Sequence, residues 1–184
     1  MNFEQQMLIG LPPLMDSNFQ KSVIYLHQHN GDGASGWIVN KELDNRVAVR
    51  LRKSIQLAVN APIFYGGPVD INSAFVIHSS EIKLESTVEL NEDLCMTRDK
   101  EMIQTLNEKN FPKRFRIIIG RCKWGAGQLE SEVFGSRTNG KTLWTNCNYE
   151  KEYLWENPPV QWEKGIERSA NKKVSTYLDF SNIG

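Results

Sequence analysis

An α+β fold, with a single mixed sheet flanked by helices, is what this sequence predicts, and three observations carry that reading. Two β-prone runs, residues 22–29 and 35–40, stand on either side of the doubled turn signal Asn30-Gly31-Asp32-Gly33, which spells a hairpin. Apolar residues then change to helical spacing, with Val47, Leu51, Ile55 and Ala58 on one face and Arg46, Arg50 and Lys53 on another. Beyond this point strands and helices mix irregularly instead of alternating as βαβ units, so a doubly wound parallel sheet is excluded. A chain of 184 residues makes one domain of ordinary size, and no repeat or linker marks an internal boundary.

The elements follow in order. The apolar stretch at residues 8–15 is broken by Pro12-Pro13 and is far too short to span a membrane. Asp16-Ser17-Asn18-Phe19 carries side-chain oxygens suited to a turn, and the hairpin comes next. The amphipathic helix is expected over residues 46–57, after which Ile63-Phe64-Tyr65 leads into Gly66-Gly67-Pro68. Residues 74–78, 87–90 and 94–97 read as short strands. Thr97 or Asp99 is expected to cap a helix that turns Met102, Ile103 and Leu106 inward, and Asn110-Phe111-Pro112 stops it. Residues 115–120 form a strand, and residues 128–134 a short helix that starts after two glycines. Helices are expected over residues 149–156 and 160–170, around Pro158-Pro159, with a loose polar tail over residues 171–184.

Composition excludes several function classes. Twenty-two basic residues balance twenty-two acidic ones, so the protein has no global field to gather polyanions. Three cysteines, Cys95, Cys122 and Cys147, have neither metal-type spacing nor an even count, which suits a reducing compartment. The start of the chain, Met1-Asn2-Phe3-Glu4, lacks a basic leader, and a cytoplasmic protein is expected. No cofactor signature is present. Gly66-Gly67-Pro68-Val69 lacks the Lys and Ser/Thr of a phosphate loop and the spacing of a dinucleotide fold.

Each candidate constellation has a structural reading beside its functional one. Gly66, Gly67 and Pro68 serve either a tight turn or a loop that offers amides to an anion. Trp124, Gly125, Gly127, Gln128 and Glu130 form either a helix-start ligand site or a turn packed over a buried tryptophan, with the polar side chains satisfying helix-start N–H groups. His27 and His29 share a strand face with Asp32 nearby, and His78 ends another strand, but no third ligand completes a metal set and none is expected. Cys122 stands beside Lys123 and Arg121, whose charges favour a thiolate, yet no catalytic-cysteine signature surrounds it. Two basic groups, Arg46/Arg50/Arg52/Lys53 and Lys113/Arg114/Arg116/Arg121/Lys123, lack any groove-reading motif.

Taken in order, several blocks resemble the bacterial AlgH/YqgE family. They begin with Pro12, Asp16, Phe19 and Ser22-Val23-Ile24-Tyr25, then His29-Asn30, Gly33-Ala34, Gly36 and Ile38-Val39-Asn40-Lys41. Gly66-Gly67-Pro68-Val69, Phe75-Val76-Ile77-His78, Thr97-Arg98-Asp99 and Trp124-Gly125-Ala126-Gly127-Gln128-Leu129-Glu130 continue the series, so the resemblance spans roughly residues 8–162. It implies a cytoplasmic α+β protein whose mostly antiparallel, bifurcated sheet curls into a pseudo-barrel, in a family named for a proposed role in regulating alginate synthesis and without a settled activity. Where the family usually has Gly-Tyr-small-Gly-Trp, this chain has Gly120-Arg121-Cys122-Lys123-Trp124, so a family ligand is not carried over to that site.

The expectation is therefore a non-enzymatic regulatory or interaction protein. It would act through a protein partner or small ligand, with at most weak, salt-sensitive and sequence-indifferent binding to DNA. The alternatives are a small-molecule or thiol-dependent enzyme near Trp124 and Cys122, and a transcriptional regulator. Asn40, the Gly66 turn and the Trp124 block are expected near one concave surface.

Overall fold

A computed structural model describes residues 2–181, and its fold class is the expected one: mixed, mostly antiparallel β-structure flanked by helices. The strands are β1 (Gln6–Gly10), β2 (Val23–Asn30), β3 (Gly33–Ile38), β4 (Ile63–Tyr65), β5 (Val69–Ser79), β6 (Thr87–Glu89), β7 (Leu94–Arg98), β8 (Phe115–Gly125) and β9 (Trp144–Asn148). The helices are α1 (Asn45–Ser54), α2 (Asp99–Asn107), α3 (Gln128–Phe134), α4 (Lys151–Leu154) and α5 (Pro158–Ser181). Among the described residues no helix is long and apolar enough to cross a membrane. The chain forms two compact units: one from residues up to Ala34 and from Trp124 onward, the other over Ser35–Lys123.

In the first unit β1 lies between β2 and β9, antiparallel to both, with Met7 opposite Tyr25 and Cys147, and Ile9 opposite Val23 and Thr145. Neither β1 nor β9 was legible in the local sequence pattern. Met7, Leu8 and Ile9 are fully buried, because a strand covered on both faces shows a continuous apolar run and no alternation. The turn at Asp16 is the expected one, its carboxylate accepting the Asn18 N–H at 2.8 Å. Gly31-Asp32 joins β2 to the start of β3, its neighbour in the sheet, and Asn30 Oδ1 accepts the Asp32 N–H at 2.9 Å.

Helix α5 packs along β1, β2 and β9 and opens with Pro158, a residue preorganised for a first helical position. It continues through residues 171–181, where the sequence suggests a loose polar tail over 171–184; the last three of those residues lie outside the described ones. Polarity alone does not end a helix: no Gly or Pro interrupts those positions, and Lys172 Nζ donates to Gln6 Oε1 at 3.1 Å.

The second unit orders its antiparallel strands β6-β7-β5-β8, and the short β4 pairs parallel with β8, Ile63 opposite Ile117 and Tyr65 opposite Ile119. Its core gathers Ile63, Ala74, Val76, Ile117 and Ile119 from strands with Ala48, Met102, Ile103 and Leu106 from helices. Asp44 caps α1 by accepting the Arg46 N–H at 2.8 Å. The helix stops at Ser54, short of the expected residue 57, because Gln56 turns left-handed (φ 57°) and Leu57 N–H closes back on Arg52 O. Arg98, not Thr97 or Asp99, occupies the cap position of α2, and the Thr97 hydroxyl is held by His78 and Thr87 instead.

Candidate functional site

In the first unit β8 ends at Trp124-Gly125 and α3 begins after Gly127, which takes the left-handed conformation (φ 68°). The Gly125 N–H that could have met an anion already donates to Gln128 Oε1 at 3.0 Å. Gln128 Nε2 donates in turn to Glu132 Oε1 at 2.9 Å. The other oxygen, Glu132 Oε2, accepts two indole N–H groups, Trp144 Nε1 at 2.7 Å and Trp124 Nε1 at 3.1 Å. The two indoles meet edge to face with centroids 6.0 Å apart. Glu132 therefore organises the block, although the sequence drew attention to Glu130. The available signal was weak: Gln128 and Glu132 stand four residues apart, so they share a face of α3.

Glu130 has a different task. Its Oε1 lies 3.1 Å from His29 Nε2, while His29 Nδ1 lies 3.1 Å from the Phe3 backbone N–H. Nδ1 also lies 3.2 Å from Asn2 Oδ1, and the tautomer that accepts the Phe3 N–H at Nδ1 donates its Nε2–H to the Glu130 carboxylate. Phe3 lies beside the imidazole with centroids 5.2 Å apart. The histidine and carboxylate thus tie the chain's first residues to α3.

In the second unit the Gly66-Gly67 turn is a backbone crossing. A Cβ on Gly66 would collide with Gly120 O and the Ile118 side chain, and one on Gly67 (φ 145°) with the Arg121 backbone. Gly66 N–H donates to Ile119 O at 2.8 Å, and Gly66 O accepts Ile38 N–H at 3.0 Å and the Cys122 thiol at 3.2 Å. Pro68 follows on the surface, and Asn40 is half-buried just beyond β3. Burial pushes the Cys122 thiol far up, against the smaller opposing effects of the Ile38 N–H and the Lys41 charge, so it remains a protonated donor. Cys95 and Cys147 are buried and raised for the same reason, Cys147 to about 11.

His78 is fully buried with both ring nitrogens engaged. Ser79 O can only accept, so Nδ1–H donates to it at 2.9 Å, and Nε2 must accept from the Thr97 hydroxyl at 2.8 Å. Thr87 then donates to Thr97 Oγ1 at 2.7 Å and accepts the Leu84 N–H, giving a chain of fixed polarity from a backbone amide to the imidazole. Burial holds His78 below its ordinary range, partly opposed by Ser79 O and Glu81.

Two members of the second basic group are engaged inside the fold. Arg116 is buried, stacks over Phe64 and donates to Val39 O, with desolvation lowering its guanidinium to about 10. Arg121 pairs with Asp70. Arg46, Arg50 and Lys53 do form an exposed stripe on α1, while Arg52 donates to Ala61 O. Among the described residues no three His, Cys, Asp or Glu side chains group as a metal site.

With this geometry in hand, the chain can be set beside known proteins. The sequence profile of the AlgH-like family matches residues 7–173. A UPF0301 protein of Hahella chejuensis is 32% identical over 156 residues, covering 83% of this chain and 80% of that one. Another, from Erwinia tasmaniensis, is 32% identical, covering 100% and 96%. The solution structure of AlgH from Pseudomonas aeruginosa superposes with a TM-score of 0.68 at 30% identity, over 85% of this chain and 82% of its own. A Corynebacterium diphtheriae protein shares the fold at a TM-score of 0.59 and 19% identity, over 80% and 76% of the two chains.

Proposed function

The chain belongs to the AlgH-like family, and on that premise we propose that it is a cytoplasmic regulatory or interaction protein that acts through a protein partner or small ligand. It catalyses no reaction of its own and reads no DNA sequence directly. One observation carries this reading: the polar groups that the sequence singles out as candidates for chemistry are largely bonded inside the protein. Gly125 N–H is held by Gln128, Glu132 by two indoles, His29 by Phe3 and Glu130, His78 by Ser79 and Thr97, and the Cys122 thiol by Gly66 O. A nucleophile needs a base within hydrogen-bond reach and a thiolate needs a lowered pKa, whereas Cys122 donates to a carbonyl and is raised. The tight Gly66-Gly67 crossing supports the structural reading of that motif in the same way.

Two measurements test the proposal. A thiol-dependent enzyme requires Cys122, so a folded Cys122→Ser variant is expected to restore the transcript profile of a deletion strain as fully as the wild type. A folded variant that fails overturns the reading in favour of thiol chemistry. Titration of labelled promoter DNA against scrambled duplex at near-physiological salt is expected to show no preference. Submicromolar affinity with roughly a hundredfold preference, within the range of specific binders, makes the protein a direct regulator instead.

A further inference from the structure

The loop between α2 and β8 carries an arrangement that neither the fold nor the proposed function uses. Just past the end of α2, Lys109 is in the left-handed conformation (φ 61°), and Lys109 N–H and Asn110 N–H close back on Leu106 O and Thr105 O. The next residue, Phe111, is 46% exposed. Its ring lies almost parallel to that of Phe115, at an interplanar angle of 6° with centroids 6.1 Å apart. Phe115 packs against the core of the second unit and Pro112 is buried, so the residues next to Phe111 are anchored while Phe111 itself reaches solvent. Lys109 and Lys113, each two residues from it along the chain, are exposed, and Arg114 follows, half-buried. Of the nearby acids, Glu108 is exposed and accepts from Gln104, and Glu81 accepts the Lys113 N–H and the Ser79 hydroxyl and lies close enough for the Lys113 charge to act on it.

An exposed aromatic ring with an exposed lysine two residues before it and another two residues after it matches a planar base joined to phosphates. Base–aromatic stacking is tolerant of sequence, and lysines follow the backbone as point charges. A protein partner suits the place less well, because binding hot spots sit inside an apolar surround and Phe111 is flanked by Asn110 and lysines. Insertion into lipid needs several exposed apolar side chains together, and the residues around Phe111 are Asn110, the buried Pro112 and lysines. Duplex DNA keeps its bases stacked inside and offers Phe111 nothing to stack on. From this geometry we infer that the Phe111 loop is a binding element for single-stranded nucleic acid, one base resting on Phe111 with the flanking phosphates met by Lys109 and Lys113, without sequence preference.

The test uses the full chain and fluorescein-labelled fifteen-residue oligothymidylate. At about 50 mM salt the wild type is expected to bind in the range of non-specific complexes, about 10–100 μM, and a duplex of the same length more weakly. Phe111→Ala is expected to weaken binding about 5- to 100-fold without changing the slope of log K against log salt. Lys113→Ala is expected to lower that slope by about 0.7, the value for one phosphate contact on a single strand. Phe111→Trp is expected to retain affinity, with its fluorescence quenched on binding. Phe111 is exposed, so these variants should fold, and circular dichroism checks that they do. The inference fails if the wild type does not bind at low salt, if duplex binds as tightly as single strand, or if Phe111→Ala binds like the wild type. It also fails if thymidine monophosphate alone competes as well as the strand, which would assign a mononucleotide site. Phe111-dependent binding to anionic vesicles without binding to the oligonucleotide overturns it in favour of a lipid surface.

Discussion

Removing the Glu132 carboxylate separates the structural from the ligand-binding reading of the Trp124 block. Its Oε2 accepts both indole N–H groups, and its Oε1 accepts the Gln128 amide. Trp144 is 1% exposed and Trp124 6%, so in Glu132→Ala neither N–H can turn to bulk water. A buried donor left without a partner costs about 1–3 kcal/mol, and bonds to a charged acceptor lie toward the upper end of that range. Two such donors give about 3–5 kcal/mol, a large fraction of the roughly 5–15 kcal/mol that holds a typical domain together. Glu132→Gln keeps an oxygen for the indoles but opposes its NH2 to that of Gln128. The Gln128 amide cannot simply flip, because its oxygen is occupied by Gly125 N–H. The expected cost is therefore about 1 kcal/mol, one ordinary hydrogen bond. Urea unfolding followed by tryptophan fluorescence and circular dichroism reads these differences. With a slope of about 2 kcal/mol per molar, Glu132→Ala moves the midpoint down by about 2 M. If both variants unfold within about 0.5 kcal/mol of the wild type, the carboxylate is not what holds the indoles, and a role in ligand binding becomes the better account.

Three further outcomes are expected. Gly165→Ala, though it gains about 1 kcal/mol of helix propensity, should destabilise by about 1–3 kcal/mol, because its Cβ would collide with the Tyr153 hydroxyl and lie 2.7 Å from Ile9 Cδ1; adding Tyr153→Phe should recover part of the loss in urea unfolding. His78 is held below its unfolded value by burial, so the native state binds fewer protons than the unfolded one and stability should fall as pH drops below about 6.5, by up to about 1.4 kcal/mol per unit. Urea midpoints between pH 7.5 and 5 should show that slope flattened in His78→Gln. Iodoacetamide at pH 8 should leave Cys122 unmodified in the native protein and label it in urea, as mass spectrometry of the peptides would show; rapid native labelling would contradict a buried, protonated thiol.

What the sequence discloses of this fold is what is written locally. The hairpin turn at Gly31-Asp32, the period of α1 and the apolar strand at residues 115–120 are each specified by residues within a few positions of one another. Strands β1 and β9 are not of this kind. Gln6 meets Asn148 and Gly10 meets Trp144, pairs nearly the whole chain apart, and the β9 run Trp-Thr-Asn-Cys-Asn reads as polar until its neighbours are known. The same distance hides the site's chemistry. His29 and Glu130 were each visible as candidates, but their bond spans 101 positions, and Thr97 was read as a helix cap because its partner His78 lies on another strand.

The glycine-rich blocks drew attention because permissive backbone can serve a ligand as readily as it serves packing. At Gly66 the choice is decided by what fills the space a side chain would need. That space holds the Gly120 carbonyl of a crossing strand, and the amides and carbonyls a ligand would use already serve Ile38, Ile119 and Cys122. A motif that is consumed in this way specifies how strands cross, and it permits close backbone approach without implying a reaction. Recognition then falls to residues that the fold leaves exposed. Phe111 is a large apolar side chain that solvent reaches, with an exposed lysine two residues away along the chain in each direction. Substitutions there should change what the protein binds and leave its unfolding midpoint almost unmoved, whereas substitutions at Gly66 or Glu132 should do the reverse.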